Sequence, residues 1–134
     1  MLKLIVAALI AILPLTGCVT DDQGSSTWSV PQRVDLHTRL GLAYLQQERL
    51  AAAQEELKFA LTLGPDNSNA HHAMALLELK LGHTALAREH YEHAIVADPG
   101  NYLVRNDFGS HQCASGLHLE GIDQLTTALN DPFN

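Results

Sequence analysis

A shift of 34 residues lays this chain on itself twice over. It carries Gly41 onto Ala75 and Gly109, Leu40 onto Met74 and Phe108, and Ala53 onto Ala87 and Gly121. Leu57 falls on Tyr91 and Leu125, Ala60 on Ala94 and Ala128, and Pro65 on Pro99, with Pro132 one residue early. A unit of this length cannot bury its apolar side alone, so neighbouring copies must stack and share one continuous core. The period therefore predicts an all-α solenoid of three helix-turn-helix units, over residues 34–67, 68–101 and 102–134.

Apolar residues at helical spacing predict two antiparallel helices per unit. They run from Val34 to about Gln47 and Leu50 to Leu63, from Ser68 to Leu81 and Thr84 to Ala97, and from Tyr102 to Ser115 and His118 to Asn130. Leu40, Tyr44, Leu57 and Leu61 fill the space between paired helices, as do Leu77, Leu81, Tyr91 and Ile95 in the next unit. Glycine inside a helix costs about 1 kcal/mol relative to alanine. Gly41 and Gly109 are therefore expected where the paired helix passes too close for a side chain, with Ala53 and Ala87 small for the same reason. Gly82 and Gly116 can take the left-handed backbone that stops a helix, Thr84 can cap the next one, and Gly64-Pro65 and Asp98-Pro99 close their units. Small, aromatic and proline positions in this order are the signature of tetratricopeptide repeats.

The first residues obey a different rule. Leu4 to Leu15 carries no charge and follows Lys3, but about a dozen residues is short of the roughly 20 that a membrane-crossing helix needs. Together with Leu15-Thr16-Gly17-Cys18 it resembles the lipobox of bacterial lipoproteins, which implies a signal peptide over residues 1–17 and lipidation at Cys18. More than one acyl chain is needed for stable anchoring. Val19, where aspartate would favour inner-membrane retention, implies the periplasmic face of the outer membrane. Residues 18–33, rich in Asp, Ser, Gly and Thr, are expected to form a tether, with Trp28 and Val30 its sizeable apolar groups.

Formal net charge is −7, and removal of Lys3 with the signal takes it to −8. Nothing basic is clustered, which argues against nucleic acid or an anionic lipid surface as partner. With Cys18 acylated, Cys113 has no disulfide partner and is expected to pack as a small apolar group. No motif for a cofactor or a small-molecule substrate is present. Of the eight histidines, His90 with His93 and the adjacent His71-His72 invite a metal reading, but no third ligand stands at suitable spacing. His111 and Cys113 are two apart on a helix and point to different sides, so they form no catalytic dyad. The expected role is binding, without catalysis.

In such solenoids the first helix of each pair lines the inner face. Its outward positions here are Asp35, Thr38, Leu42 and Leu45; Asn69, His72, Leu76 and Leu79; and Leu103, Asn106, Ser110 and Cys113. Leu42, Leu45, Leu76 and Leu79 make an apolar stripe suited to an apolar helix or strand of a protein partner. The lysine and asparagine clamp of chaperone-binding repeats is missing at Thr38 and Leu42.

Leu40-Gly-Leu-Ala-Tyr-Leu-Gln, then Ala97-Asp-Pro, Arg105-Asn-Asp-Phe-Gly109 leading to Cys113, and Ala128-Leu-Asn-Asp-Pro132 resemble the type IV pilus biogenesis lipoproteins called PilF or PilW, the pilotins. The resemblance implies a lipid-anchored scaffold whose partner is the outer-membrane secretin. A general envelope adaptor that recruits peptidoglycan enzymes is the alternative. Two departures stand out: the family usually has about six repeats, and Ser110, His111, Gln112 and Gly121 replace its usual residues. The third repeat is expected to be weak, with Leu125, Leu129 and Phe133 exposed unless a partner covers them.

Overall fold

The computed structural model describes residues 28–130. The signal peptide, Cys18, the tether up to residue 27, Pro132 and Phe133 lie outside the described residues. The rest is six helices in three antiparallel pairs: α1 Val30–Gln46 with α2 Leu50–Leu63, α3 Ser68–Leu81 with α4 Thr84–Ala97, and α5 Tyr102–Ala114 with α6 His118–Leu129. None of these helices is long and apolar enough to cross a membrane.

Helices α2, α3 and α4 have the bounds expected from sequence, and α5 and α6 each stop one residue early. The start of α1 differs. It begins at Val30, four residues before Val34, because Pro31 fits a first turn that needs no N–H from it and the Gln32 side chain accepts the Ser29 N–H at 2.8 Å. Residues 30–33 are thus helix and not tether. Thr84 also differs, being the first helical residue, with His83 at the cap position and no side-chain capping bond. Capping falls instead to a repeated asparagine: Asn67 accepts from the Ala70 N–H at 2.9 Å, and Asn101 from the Val104 N–H at 3.4 Å.

Gly82 and Gly116 end their helices with φ of 81° and 86°, as expected. The same position in the first repeat is Glu48, held at φ 58°. A side chain in that region costs about 1 kcal/mol, so the first repeat carries a strain that its two copies avoid.

The core is continuous across repeats. Leu45, Ala53, Leu57, Ala73, Met74 and Leu77 join the first repeat to the second, and Ala75, Tyr91, Ala94, Val104 and Phe108 join the second to the third. The Tyr91 and Phe108 rings stack at 5.0 Å. Close helix crossings explain the glycines. A Cβ on Gly41 would lie 2.5 Å from Leu57 Cγ, and one on Gly109 would lie 2.8 Å from the Gly121 carbonyl oxygen.

The seam before the third repeat is filled less well. Met74, Leu77, Glu78 and Leu81 of α3 are matched by Phe108, His111 and Gln112 of α5 and by Ser115 at its C-cap. A cavity of about 660 Å³ opens there, between Arg88 and Glu89 of α4 and His111 and Gln112 of α5. Buried Glu78 has a partner in His83 at 2.7 Å, but five residues after Gln112 stands Leu117, and the buried Gln112 Oε1 has no hydrogen bond.

Candidate partner-binding groove

Helices α1, α3 and α5 form the face on which the sequence placed the stripe. Leu42, Leu76 and Leu79 are half-buried there, and Asn69, Asn106 and Ser110 are exposed. Two residues differ from the expectation of an exposed side. Thr38 is only 4% exposed and its hydroxyl donates to the Val34 carbonyl at 2.8 Å; Leu45 is 8% exposed within the core joining the first two repeats. Both lie on the inward side of α1, which they share with buried Val34 and Gly41. Cys113 is half-buried with Sγ against Gly121 of α6, so it belongs to the helix crossing and not to this face.

Between the C-terminal ends of α1 and α3 the leucines make a cavity of about 500 Å³. Its floor is the rim of Leu45 with Leu76 and Leu79, and its edge is Gln46, Glu48 and Lys80. An open apolar hollow edged by one anion, one cation and an amide suits a bulky aliphatic or aromatic side chain from a partner, with polar groups at the edge to orient it. Sequence reasoning did not single out the edge residues, although Gln46 and Lys80 each directly follow a groove leucine and Glu48 stands three residues past Leu45.

Toward the third repeat the face turns polar. His72 Nε2 bonds Asp107 Oδ2 at 2.8 Å, tying α3 to α5, and Asn101 donates to Asn69 Oδ1 at 3.0 Å. Beneath this tie Tyr91 is fully buried, and burial, followed by the Asp107 charge, raises its hydroxyl well above the ordinary range. It stays neutral.

The histidines sort differently from their order in the chain. His72 goes to the groove, whereas His71 meets both histidines of α4: His71 Nδ1 lies 3.0 Å from His90 Nδ1, and the His71 and His93 rings stack at 5.1 Å. Among the described residues no group of three or more metal-ligating side chains is placed to hold a metal ion. The 34-residue shift accounts for the contact. His37 bonds Glu56 at 2.6 Å, His71 meets His90, and Arg105 donates to Gln124 at 3.0 Å, all at equivalent positions that clasp the two helices of a repeat. Only the middle clasp pairs two imidazoles. His71 Nε2 donates to the Pro65 carbonyl at 2.7 Å, so its Nδ1 is left to accept from His90.

Burial, then His71, lowers the His90 pKa, with a smaller lowering from His93, while Glu78 and Glu89 raise it. The fold thus favours neutral His90. As pH falls through the ordinary value of 6.5 the unfolded chain takes up the proton first, and stability is lost. The melting temperature is expected to drop between pH 7 and pH 5 by more in the wild type than in His90→Gln, the residue the third repeat carries there. Parallel pH profiles for the two proteins would disprove this.

Paired helices, a shared core and a leucine-lined hollow between first helices define a helical-repeat scaffold built for protein binding. The tetratricopeptide repeat profile matches residues 34–67 and 68–101, about half of the chain, and the chain belongs to that family. Type IV pilus assembly protein PilF of Pseudomonas aeruginosa is 32% identical over 130 residues, covering 93% of this chain and 52% of PilF. A solved structure of Pseudomonas aeruginosa PilF superposes with a TM-score of 0.75 at 29% identity, over 78% of this chain and 47% of that one. Cellulose synthase operon protein C of Komagataeibacter xylinus is 33% identical over an alignment of 119 residues that covers 76% of this chain and 9% of that protein. MamA shares the fold, with a TM-score of 0.66 at 24% identity over 73% of this chain and 57% of that one. The chain spans about half the length of PilF.

Proposed function

We propose that this chain is a lipid-anchored scaffold of type IV pilus assembly, held at the periplasmic face of the outer membrane through Cys18. It grips an apolar segment of the secretin and promotes that protein's localisation and assembly, with no chemistry of its own. Similarity to PilF over most of the chain supports the pilus context. The observation that carries the binding role is the hollow of Leu45, Leu76 and Leu79 between α1 and α3. Burying one leucine-sized side chain contributes about 1.5 to 3 kcal/mol, so this hollow alone is worth tenfold or more in affinity.

Leu79→Asp, on the half-exposed side of the hollow, is expected to cut co-purification of the secretin at least tenfold while helical circular dichroism is retained. Leu79→Met should bind like the wild type. Undiminished co-purification with Leu79→Asp would remove the hollow from the binding surface, and normal pili with altered cell shape would point to peptidoglycan enzymes instead.

A further inference from the structure

Each repeat turns from its first helix into its second through the same two hydrogen bonds. In the first, the Glu48 N–H donates to the Leu45 carbonyl at 3.0 Å and the Arg49 N–H to that of Tyr44 at 2.9 Å; Gly82 with His83, and Gly116 with Leu117, repeat the pair. The central residue of such a turn is left-handed, which is why it is usually glycine. Two copies follow that preference, and Glu48, at φ 58°, does not. Packing does not call for a side chain there. A Cβ on Gly82 or Gly116 would meet nothing within 4 Å.

Nor is the Glu48 carboxylate engaged within the chain. It is exposed and, among the described residues, makes no hydrogen bond or ion pair; the adjacent cation, Arg49, lies over the Tyr44 ring at 4.5 Å instead. What Glu48 has is its place. It edges the hollow of Leu45, Leu76 and Leu79 on the α1 side, and Lys80 edges it on the α3 side. Lys80 lies in the last turn of α3, where the free carbonyls favour a cation, and so has an ordinary reason to be there. Glu48 has none. A residue held in strained backbone at the rim of an open site, with no internal bond to offset the strain, points to a role toward what enters that site.

Resting on the reading of this hollow as the partner's seat, we propose that Glu48 recognises a basic side chain: the protein segment bound there carries a lysine or arginine a few residues from the apolar group it buries. The opposite charges across the hollow make the fit directional. Glu48 draws that cation to the α1 edge and Lys80 repels it from the α3 edge, so the segment enters one way round. The contact is open to water, and it therefore selects a partner more than it tightens the grip.

The test compares variants of the full chain for retention of the outer-membrane secretin and for melting temperature. Glu48→Gly is expected to melt about 4 °C higher as the strain is relieved, yet to retain the secretin about threefold less. Glu48→Gln should lose the same binding with no rise in melting temperature, and Glu48→Lys should lose about tenfold. Glu55→Gln, which removes an equal charge from an exposed site on α2, should bind like the wild type. Full retention by Glu48→Gln, where Leu79→Asp releases the secretin, would overturn this proposal and leave the hollow as the seat. Equal loss in Glu48→Gln and Glu55→Gln would overturn it too, because net charge alone would explain the effect. An unchanged melting temperature in Glu48→Gly would remove the strain that singles Glu48 out, and the proposal with it. No retention by the wild type would bring down the reading of the hollow itself.

Discussion

Leu57→Ala is expected to destabilise the protein by about 3 to 4 kcal/mol, as measured by urea or thermal unfolding. Leu57 is fully buried in the core that joins the first repeat to the second, so its loss leaves a cavity at a junction that holds α1, α2 and α3 together. Domains of this size are stable by only about 5 to 15 kcal/mol, and the change is a large share of that. The geometry also fixes where the damage can be repaired. A Cβ added to Gly41 would sit 2.5 Å from Leu57 Cγ, which is an impossible contact in the wild type and a filled void once Leu57 is shortened. Gly41→Ala should therefore lower stability alone and raise it in the Leu57→Ala background. Effects that simply add would show that the two positions are not in contact.

Gly121→Val should cost about 3 kcal/mol, the upper range for overpacking, and should detach the third repeat first. A Cβ at Gly121 meets Cys113 Sγ, the Gly109 carbonyl oxygen at 2.7 Å and the Cys113 backbone nitrogen at 2.9 Å. Two of those three obstacles are backbone atoms, so no side chain can rotate aside to make room. In hydrogen exchange, amides of α5 and α6 should lose protection while those of α1 and α2 keep theirs. Uniform loss along the chain would mean that the three repeats unfold as one unit.

Much of this fold was legible in the chain. A period of 34 residues with small residues at each crossing determines which helices pair, and α2, α3 and α4 emerge with the bounds that pattern implies. Residues 30–33 misled because Pro31 reads as a helix breaker and Gln32 and Arg33 are polar, although a proline in the first turn and a capping glutamine are also how a helix begins. Thr38 and Leu45 were harder still. A small rotation of α1 separates the inner face from the core, and period alone does not fix that rotation. The histidine clasp was present in the sequence, in the equivalence of 37 with 71 and 105 and of 56 with 90 and 124, but became visible only once each pair was seen across its two helices.

One arrangement around α5 bears on how the molecule moves. On one side α5 is bound to α3 through His72 and Asp107, and on another it leaves a void of about 660 Å³ against α4. Tyr91 stacked on Phe108 supports the middle of that flank, so the void leaves only the end of α5 near His111 and Gln112 loosely packed. With fewer packed atoms at that end, the pitch between the last two repeats is held less firmly there than where Leu77 seals the first seam.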